Sequence, residues 1–195
     1  MAFKNAYKLL IGFFPVVSEG GVVDPAISDE KYSGLEFSPT SVITMDTNIT
    51  AYNREGTAAA TRDVNLVTDM DMWTRRETTM LTPGNITLST ERNVDETSPF
   101  ATLLANTSVA NPLLGVFKVG LFDSADATSR TYKTLLTQVA YLTQCDAFQG
   151  TAKEVVTSDW QFTSTGKPTE GTVVNNQTLT LTTETGAIAW STTQN

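Results

Sequence analysis

The stretch Asn85-Ile86-Thr87-Leu88-Ser89-Thr90-Glu91 decides the fold class, because apolar and hydroxyl residues alternate along it. Successive side chains of a β-strand point to opposite faces, so the pattern predicts a strand with Ile86 and Leu88 facing a core. The Pro83-Gly84 pair in front of this strand indicates a turn. The stretch is therefore typical of a sheet with one buried and one wet face.

The same strand-like patterning recurs on both sides of this stretch. Further strands are predicted within residues 41–49, 71–78, 114–122, 130–143, 155–165 and 172–190. In the fifth of these, the side chains of Val156, Trp160 and Phe162 are expected to face one way. In the last, Leu179 and Leu181 alternate with Thr residues, which again predicts one wet face.

The composition favours the same fold class. Of 195 residues, 34 are Thr and 13 are Ser, while charged residues make up only 17% of the chain. Thr is β-branched and suits the half-exposed surface of a pleated sheet. So low a charge content also argues against disorder driven by self-repulsion. We therefore expect an all-β protein that is long enough to bury a real core.

The composition also excludes several classes of function. The chain has no His, which removes Ser-His-Asp and Cys-His catalysis and the usual zinc ligand sets. Its lone Cys145 cannot form an intrachain disulfide. With 21 acidic and 13 basic residues, the net charge of −8 argues against binding nucleic acid through its phosphates. No motif nominates a catalytic, cofactor or metal site, and no apolar stretch reaches the about 18 residues of a membrane-spanning helix, so we expect no enzyme, no cofactor and no membrane partner.

Three segments are predicted to lie outside the sheet. Residues 1–40 are expected to form an extended N-terminal arm in front of a domain spanning 41–195, because most of this segment is rich in Gly, Pro, Ser and acids. Residues 53–63 hold no large apolar side chain and predict a long hairpin loop. Residues 99–105 begin at Pro99 after a Thr97 or Ser98 cap and predict a short helix. Because the arm and the loop bury little area, we expect both to order only on a neighbouring subunit.

The order of these elements resembles the major tail tube proteins of long-tailed bacteriophages. The resemblance spans residues 41–170 and rests on an arginine strand, a Pro-Gly turn, an alternating strand, an acidic stretch, a short helix and a late strand ending in a Ser/Thr-x-Gly motif. In this sequence these are Arg75-Arg76, Pro83-Gly84, residues 85–91, Asn93-Val94-Asp95-Glu96, residues 99–105 and Ser164-Thr165-Gly166.

The resemblance implies a two-sheet β-sandwich or barrel with one short flanking helix, a long hairpin loop and an N-terminal arm. It implies six-subunit rings that stack into the tail tube of a virion, with other tail proteins at the tube ends and subunits made in the host cytoplasm. The hairpin loop would contact the next ring, through candidates Asn53, Arg54, Glu55, Arg62 and Asp63. DNA would pass without specific binding along an acidic lumen, because a basic wall would hold the phosphates. The candidate lumen residues are Glu91, Asp159 and Glu184.

Two other readings of the sequence stay open. A secreted or surface-exposed adhesive β-sandwich is favoured by the Thr-rich tail and by a signal-like start, in which Lys4 and Lys8 precede an apolar run. An unrecognised enzyme is the third. The state of assembly separates the first reading from the others, because a tube subunit forms rings or tubes and an adhesive domain binds its ligand as a monomer.

Overall fold

The structure, a computed structural model, describes residues 9–43, 49–64, 75–91, 113–149, 156–170 and 176–192. Thirteen strands lie in this part of the chain. They are β1 (Leu9–Pro15), β2 (Val22–Val23), β3 (Glu36–Phe37), β4 (Ile49–Arg54), β5 (Ala58–Val64), β6 (Arg75–Thr82), β7 (Ile86–Glu91), β8 (Leu114–Ala125), β9 (Ser129–Gln149), β10 (Thr157–Ser164), β11 (Thr169–Glu170), β12 (Gln177–Thr182) and β13 (Ile188–Thr192).

Nine of these strands form one antiparallel sheet that curls into a half-barrel. Its main path runs β1-β8-β9-β10-β7-β4, and β11, β12 and β13 join it through β9. Strands β2 and β3 form a small separate pair, and β5 and β6 form another. The described residues contain no helix, so the expected all-β class is confirmed. The expected helix at 99–105 lies outside the described residues.

Strand β9 organises the sheet because it is 21 residues long and has different neighbours along its two edges. Strand β8 pairs with it from Arg130 to Tyr141. On the opposite edge, β12 pairs with its first part, β11 with Leu136 and Thr137, and β10 with its last part from Ala140. The two ends of the sheet therefore diverge from one shared central strand.

Two hydrophobic cores lie on opposite faces of the β1–β8 pair, because alternate residues of both strands point to opposite sides. The first core lies against β10 and β7 and contains Ile11, Phe13, Ile43, Ile86, Leu88, Phe117, Val119, Leu136, Ala140, Leu142, Trp160 and Phe162. The second core lies under the β12–β13 hairpin and contains Leu10, Phe14, Ile27, Tyr32, Phe37, Val116, Tyr132, Val139, Leu179, Leu181, Ile188 and Trp190. The β1–β8 pair is thus buried on both faces.

The expectation that residues 1–40 form an arm is wrong from Leu9 onward. Strand β1 pairs with β8 over its whole length, and Phe13 and Phe14 are fully buried on its two faces. The apolar run gains enough buried area on its own sheet to order without a neighbour. Residues 38–42 then connect the two edges, since Val42 N donates to Phe13 O at 3.0 Å and Ser41 N donates to Ile188 O at 2.8 Å.

Five of the predicted strands are found with shifted ends, as β6, β7, β8, β9 and β10. The strand expected within 41–49 is not found, because residues 41–43 carry no strand, residues 44–48 lie outside the described residues, and β4 begins only at Ile49. The stretch 172–190, expected as one strand, forms the β12–β13 hairpin. Strand β7 places Ile86 and Leu88 in the core, and Trp160, Phe162, Leu179 and Leu181 are buried as expected. Val156 is the exception: it precedes β10 and its side chain is 44% exposed. The irregular segment after β1 holds only the short β2–β3 pair. The expected inward side chain of Met45 lies outside the described residues.

Candidate functional site

One long hairpin runs through the part of the chain that the sequence associates with assembly. Strands β4 and β7 pair at its base, and β5 and β6 pair beyond them. Residues 55–57 and 83–85 face each other between the two pairs and carry no strand pairing. The prediction of a loop at 53–63 is therefore wrong. Small residues such as Ala58 and Ala59 form a strand there, because β6 supplies backbone hydrogen bonds that need no large side chain.

The break in the hairpin is held by backbone contacts around Gly84. Glu55 N donates to Asn85 O at 2.9 Å, and Asn85 N donates to the Glu55 carboxylate at 3.2 Å. A Cβ atom added to Gly84 would lie 2.0 Å from Glu55 O, which no side chain tolerates. Only glycine allows the two chain segments to approach this closely, so Gly84 fixes where the outer pair leaves the sheet.

The outer pair, β5 with β6, forms a two-stranded sheet separate from the nine-stranded sheet, and we call it the ribbon. In the described part of the chain, each of its strands pairs only with the other. Residues 55–60 are exposed, and the Leu81 side chain is 66% exposed, the largest value among the exposed large hydrophobic residues. An isolated two-stranded pair is marginally stable in water. The ribbon exposes the Leu81 side chain, and no third strand pairs with it in the described part of the chain.

The five predicted contact residues fall at different places on this hairpin. Asn53 and Arg54 end β4, Glu55 lies in the break, and Arg62 and Asp63 lie in β5. Arg54 is engaged within the chain, since its guanidinium donates to the Glu170 carboxylate at 2.9 Å. Glu55 is likewise bound to Asn85, as described above. Of this set, Arg62 and Asp63 thus belong to the ribbon, as Leu81 does, and the other three residues precede it.

A second surface is the outward face of β7 and β10, which we call the polar face. Its members are Thr87, Ser89, Glu91, Thr157, Asp159, Gln161 and Thr163. Two of the three predicted lumen residues lie here on adjacent strands: Thr157 is the register partner of Glu91, and Ser89 is the partner of Asp159. Ser89 Oγ donates to the Asp159 carboxylate at 2.6 Å. The described outward positions of these two strands include two carboxylates, Glu91 and Asp159, and no Lys or Arg.

The third predicted lumen residue lies elsewhere. Glu184 is exposed in the turn between β12 and β13, on the part of the sheet that covers the second core. The polar face also contains a hollow of about 320 Å³, lined by Thr87, Ser89, Gln144, Asp159, Trp160 and Gln161. Its lining consists of two residues with hydroxyl side chains, two amides, one carboxylate and Trp160.

The described residues contain no group of three or more His, Cys, Asp or Glu side chains that could hold a metal ion. Nor do they include a helix that is long and apolar enough to cross a membrane. No protein-family model matches the sequence, and no curated protein matches it. The ribbon and the polar face are therefore the two candidate functional surfaces in the described part of the chain.

The sequence predicts a hairpin here but does not point to Leu81 as an exposed apolar residue. Leu81 lies between the strand predicted at 71–78 and the Pro83-Gly84 turn, and nothing in its spacing separates a core leucine from an exposed one. Only the register, which pairs Leu81 with Ala59 in a two-stranded ribbon, shows that no third strand covers it in the described residues.

Proposed function

We propose that this protein is a structural subunit that assembles with copies of itself, as the tail tube protein of a long-tailed bacteriophage virion. In this proposal six subunits form a ring, rings stack into a tube, and other tail proteins bind the tube ends. DNA passes through during ejection without specific binding. The curled sheet contributes to a two-sheet sandwich or barrel, and residues 99–105 form its flanking helix.

The ribbon is the observation that carries this proposal. A two-stranded pair with an exposed Leu81 gains buried area and strand neighbours when it docks on a second copy. Docking of this kind, repeated in one direction, is a heterologous contact, and such contacts generate rings or open stacks. Arg62 and Asp63 lie in β5, and we expect them to contact the next ring.

The polar face is the candidate lining of the tube. Glu91 and Asp159 lie there among hydroxyl groups, without a basic residue on the described outward positions of β7 and β10. A wall of this kind repels the phosphates within about 8 Å, the Debye length at physiological salt, and leaves the duplex free to move. An electrostatic map of the assembled tube tests this assignment: a lumen that is neutral or positive along most of its length contradicts it.

Imaging of the purified full-length protein by negative-stain electron microscopy tests the proposed function. We expect tubes or stacked rings with a central channel once the subunit concentration exceeds the threshold for assembly. Particles the size of one subunit at every concentration would overturn the proposal.

The adhesive alternative is favoured by one observation, the hollow on the polar face. Hydroxyl, amide and carboxylate groups around a recess of about 320 Å³ suit a small polar ligand such as a saccharide. A monomer that binds such a ligand, and loses the binding in Gln161→Ala, would support this function in place of assembly.

A further inference from the structure

Three polar side chains meet inside the second core. Lys118 lies in β8, Asp24 directly follows β2, and Gln177 begins β12. Each of these three residues is at most 1% exposed. Lys118 Nζ donates to Asp24 Oδ2 at 2.5 Å and to Gln177 Oε1 at 2.6 Å. Gln177 Nε2 donates to Asp24 Oδ1 at 2.5 Å, which closes a triangle of contacts. We call this the buried triad.

Neighbouring groups hold the triad in place and shield it from bulk solvent. Thr137 Oγ1 accepts the third hydrogen bond of Lys118 Nζ at 3.1 Å, and the Trp190 ring centroid lies 4.4 Å from the same atom. Ala26 N donates to Asp24 Oδ1 at 2.9 Å. Burial, the largest effect, lowers the pKa of Lys118 from its ordinary value, and the Asp24 carboxylate opposes that change.

The triad combines the three parts of an acyl-transfer site. An amine in a desolvated pocket is an activated nucleophile, because burial favours its neutral form. The carboxamide of Gln177 is an acyl group with a nitrogen leaving group, and its oxygen already contacts the amine. One Asp24 oxygen contacts the amine nitrogen, and the other contacts the carboxamide nitrogen. Asp24 is therefore positioned to move protons between these two nitrogens.

We propose that Lys118 and Gln177 become joined by an intramolecular isopeptide bond, with Asp24 relaying the protons. This assignment concerns the single subunit and does not depend on the proposed assembly. The bond would give this buried charged cluster a role. Stability alone does not explain the cluster, because well-packed apolar residues can replace a buried ion pair without loss of stability.

The step is balanced without an oxidant, a reductant or a second substrate. Asp24 takes a proton from the Lys118 ammonium, and the neutral amine then attacks Cδ of Gln177 to form the new C–N bond. Asp24 passes this proton, and a second one taken from the attacking nitrogen, to the departing Nε2. The bond from Cδ to Nε2 breaks, a secondary amide remains, and ammonia leaves as ammonium.

The bond would tie the centre of the sheet to the C-terminal hairpin. Lys118 and Gln177 are 59 positions apart in the chain, so the cross-link closes a long loop and removes conformational freedom from the unfolded chain. A disulfide does the same, but an amide also withstands reducing conditions, and the chain has only one Cys.

Mass spectrometry of the purified, denatured full-length protein tests the proposal directly. We expect a mass lower than that of the sequence by about 17 Da, the loss of one ammonia, and a digest containing one branched peptide that joins positions 118 and 177. Separate, unmodified peptides carrying Lys118 and Gln177 would overturn it. So would a loss of about 18 Da with Lys118 joined to Asp24 instead.

A matched pair of variants tests the role of Asp24. Asp24→Asn keeps the size of the side chain but cannot relay protons, so we expect the rate of cross-linking in the refolded protein to fall by about 10²-fold or more. Glu184→Gln removes a charge from an exposed turn and leaves the cross-link complete. Full cross-linking of Asp24→Asn would overturn the relay, and if this variant fails to fold, the mass of the natural chain still decides the bond.

Discussion

The β1–β8 pair and the ribbon are both antiparallel two-stranded pairs, and they differ in what surrounds them. The β1–β8 pair has a hydrophobic core on each face, and Phe13 on one face and Phe14 on the other are fully buried. The ribbon has no third strand in the described residues, and its Leu81 side chain is 66% exposed. Strand pairing is thus common to both, and the β1–β8 pair is in addition covered by a core on each face.

The difference separates a region that is packed within the single subunit from the region that we propose to dock on another copy. Burial of apolar area contributes about 25 cal/mol per Å², so a pair covered on both faces is stable within the subunit. An uncovered pair has little beyond its own hydrogen bonds, which exchange with water at small net gain. We therefore expect substitutions in β1 to affect folding, and substitutions in the ribbon to affect assembly.

The largest expected effect comes from Phe13→Ala. The Phe13 ring lies 5.8 Å from that of Phe117 and 4.9 Å from that of Phe162, so its loss leaves a cavity beside the two remaining rings. We expect the free energy of unfolding to fall by about 3–5 kcal/mol, measured by urea denaturation. Leu81→Ala is the control and should change it by less than about 0.5 kcal/mol. Equal losses for the two variants would remove the contrast between the regions.

A smaller effect is expected at the break between the sheet and the ribbon. Gly84→Ala places a Cβ against the backbone of Glu55, so the hairpin must shift, and we expect a loss of about 1–3 kcal/mol in the same assay. Gly56→Ala is the matched control, since nothing lies within 4 Å of its added Cβ. If Gly84→Ala is as stable as the control, the close approach at Gly84 does not fix the position of the break between the sheet and the ribbon.

The smallest effect on stability is expected from the ion pair between Arg54 and Glu170. The Arg54 side chain is 19% exposed and that of Glu170 is 60% exposed, so solvent screens the pair. A double-mutant cycle with Arg54→Met and Glu170→Gln should give a coupling energy of about 0.2–1 kcal/mol that decreases with added salt. A coupling that is larger and insensitive to salt would mean that the pair is buried more deeply than the exposures indicate.

The sequence predicts most of the sheet because a half-buried strand has a period of two. Strand β7 shows this alternation, and its inward residues are Ile86 and Leu88 as expected. The same rule led to the wrong prediction of an arm at residues 1–40, because the apolar run around Phe13 has no alternation. A strand buried on both faces is apolar at every position, so its pattern does not distinguish it from an apolar arm.

The candidate sites depend on contacts that no local pattern contains. Lys118 is a charged residue within the apolar first part of β8, and the sequence alone shows this unusual placement. Its partners Asp24 and Gln177, however, are 94 and 59 positions away in the chain. The polar face was predicted through Glu91 and Asp159, because both lie on alternating strands. Their adjacency follows from the register of β7 with β10, which the sequence does not specify.

The mass of the protein in solution, measured by light scattering over a concentration series, tests the central claim that the ribbon docks on a second copy. We expect the natural chain to form large assemblies, Leu81→Asp to remain a folded monomer, and Val156→Asp, which changes a 44% exposed residue outside the ribbon, to assemble normally. Leu81→Asp should keep its free energy of unfolding within about 0.5 kcal/mol. Assembly of Leu81→Asp at the same concentrations as the natural chain would contradict the account.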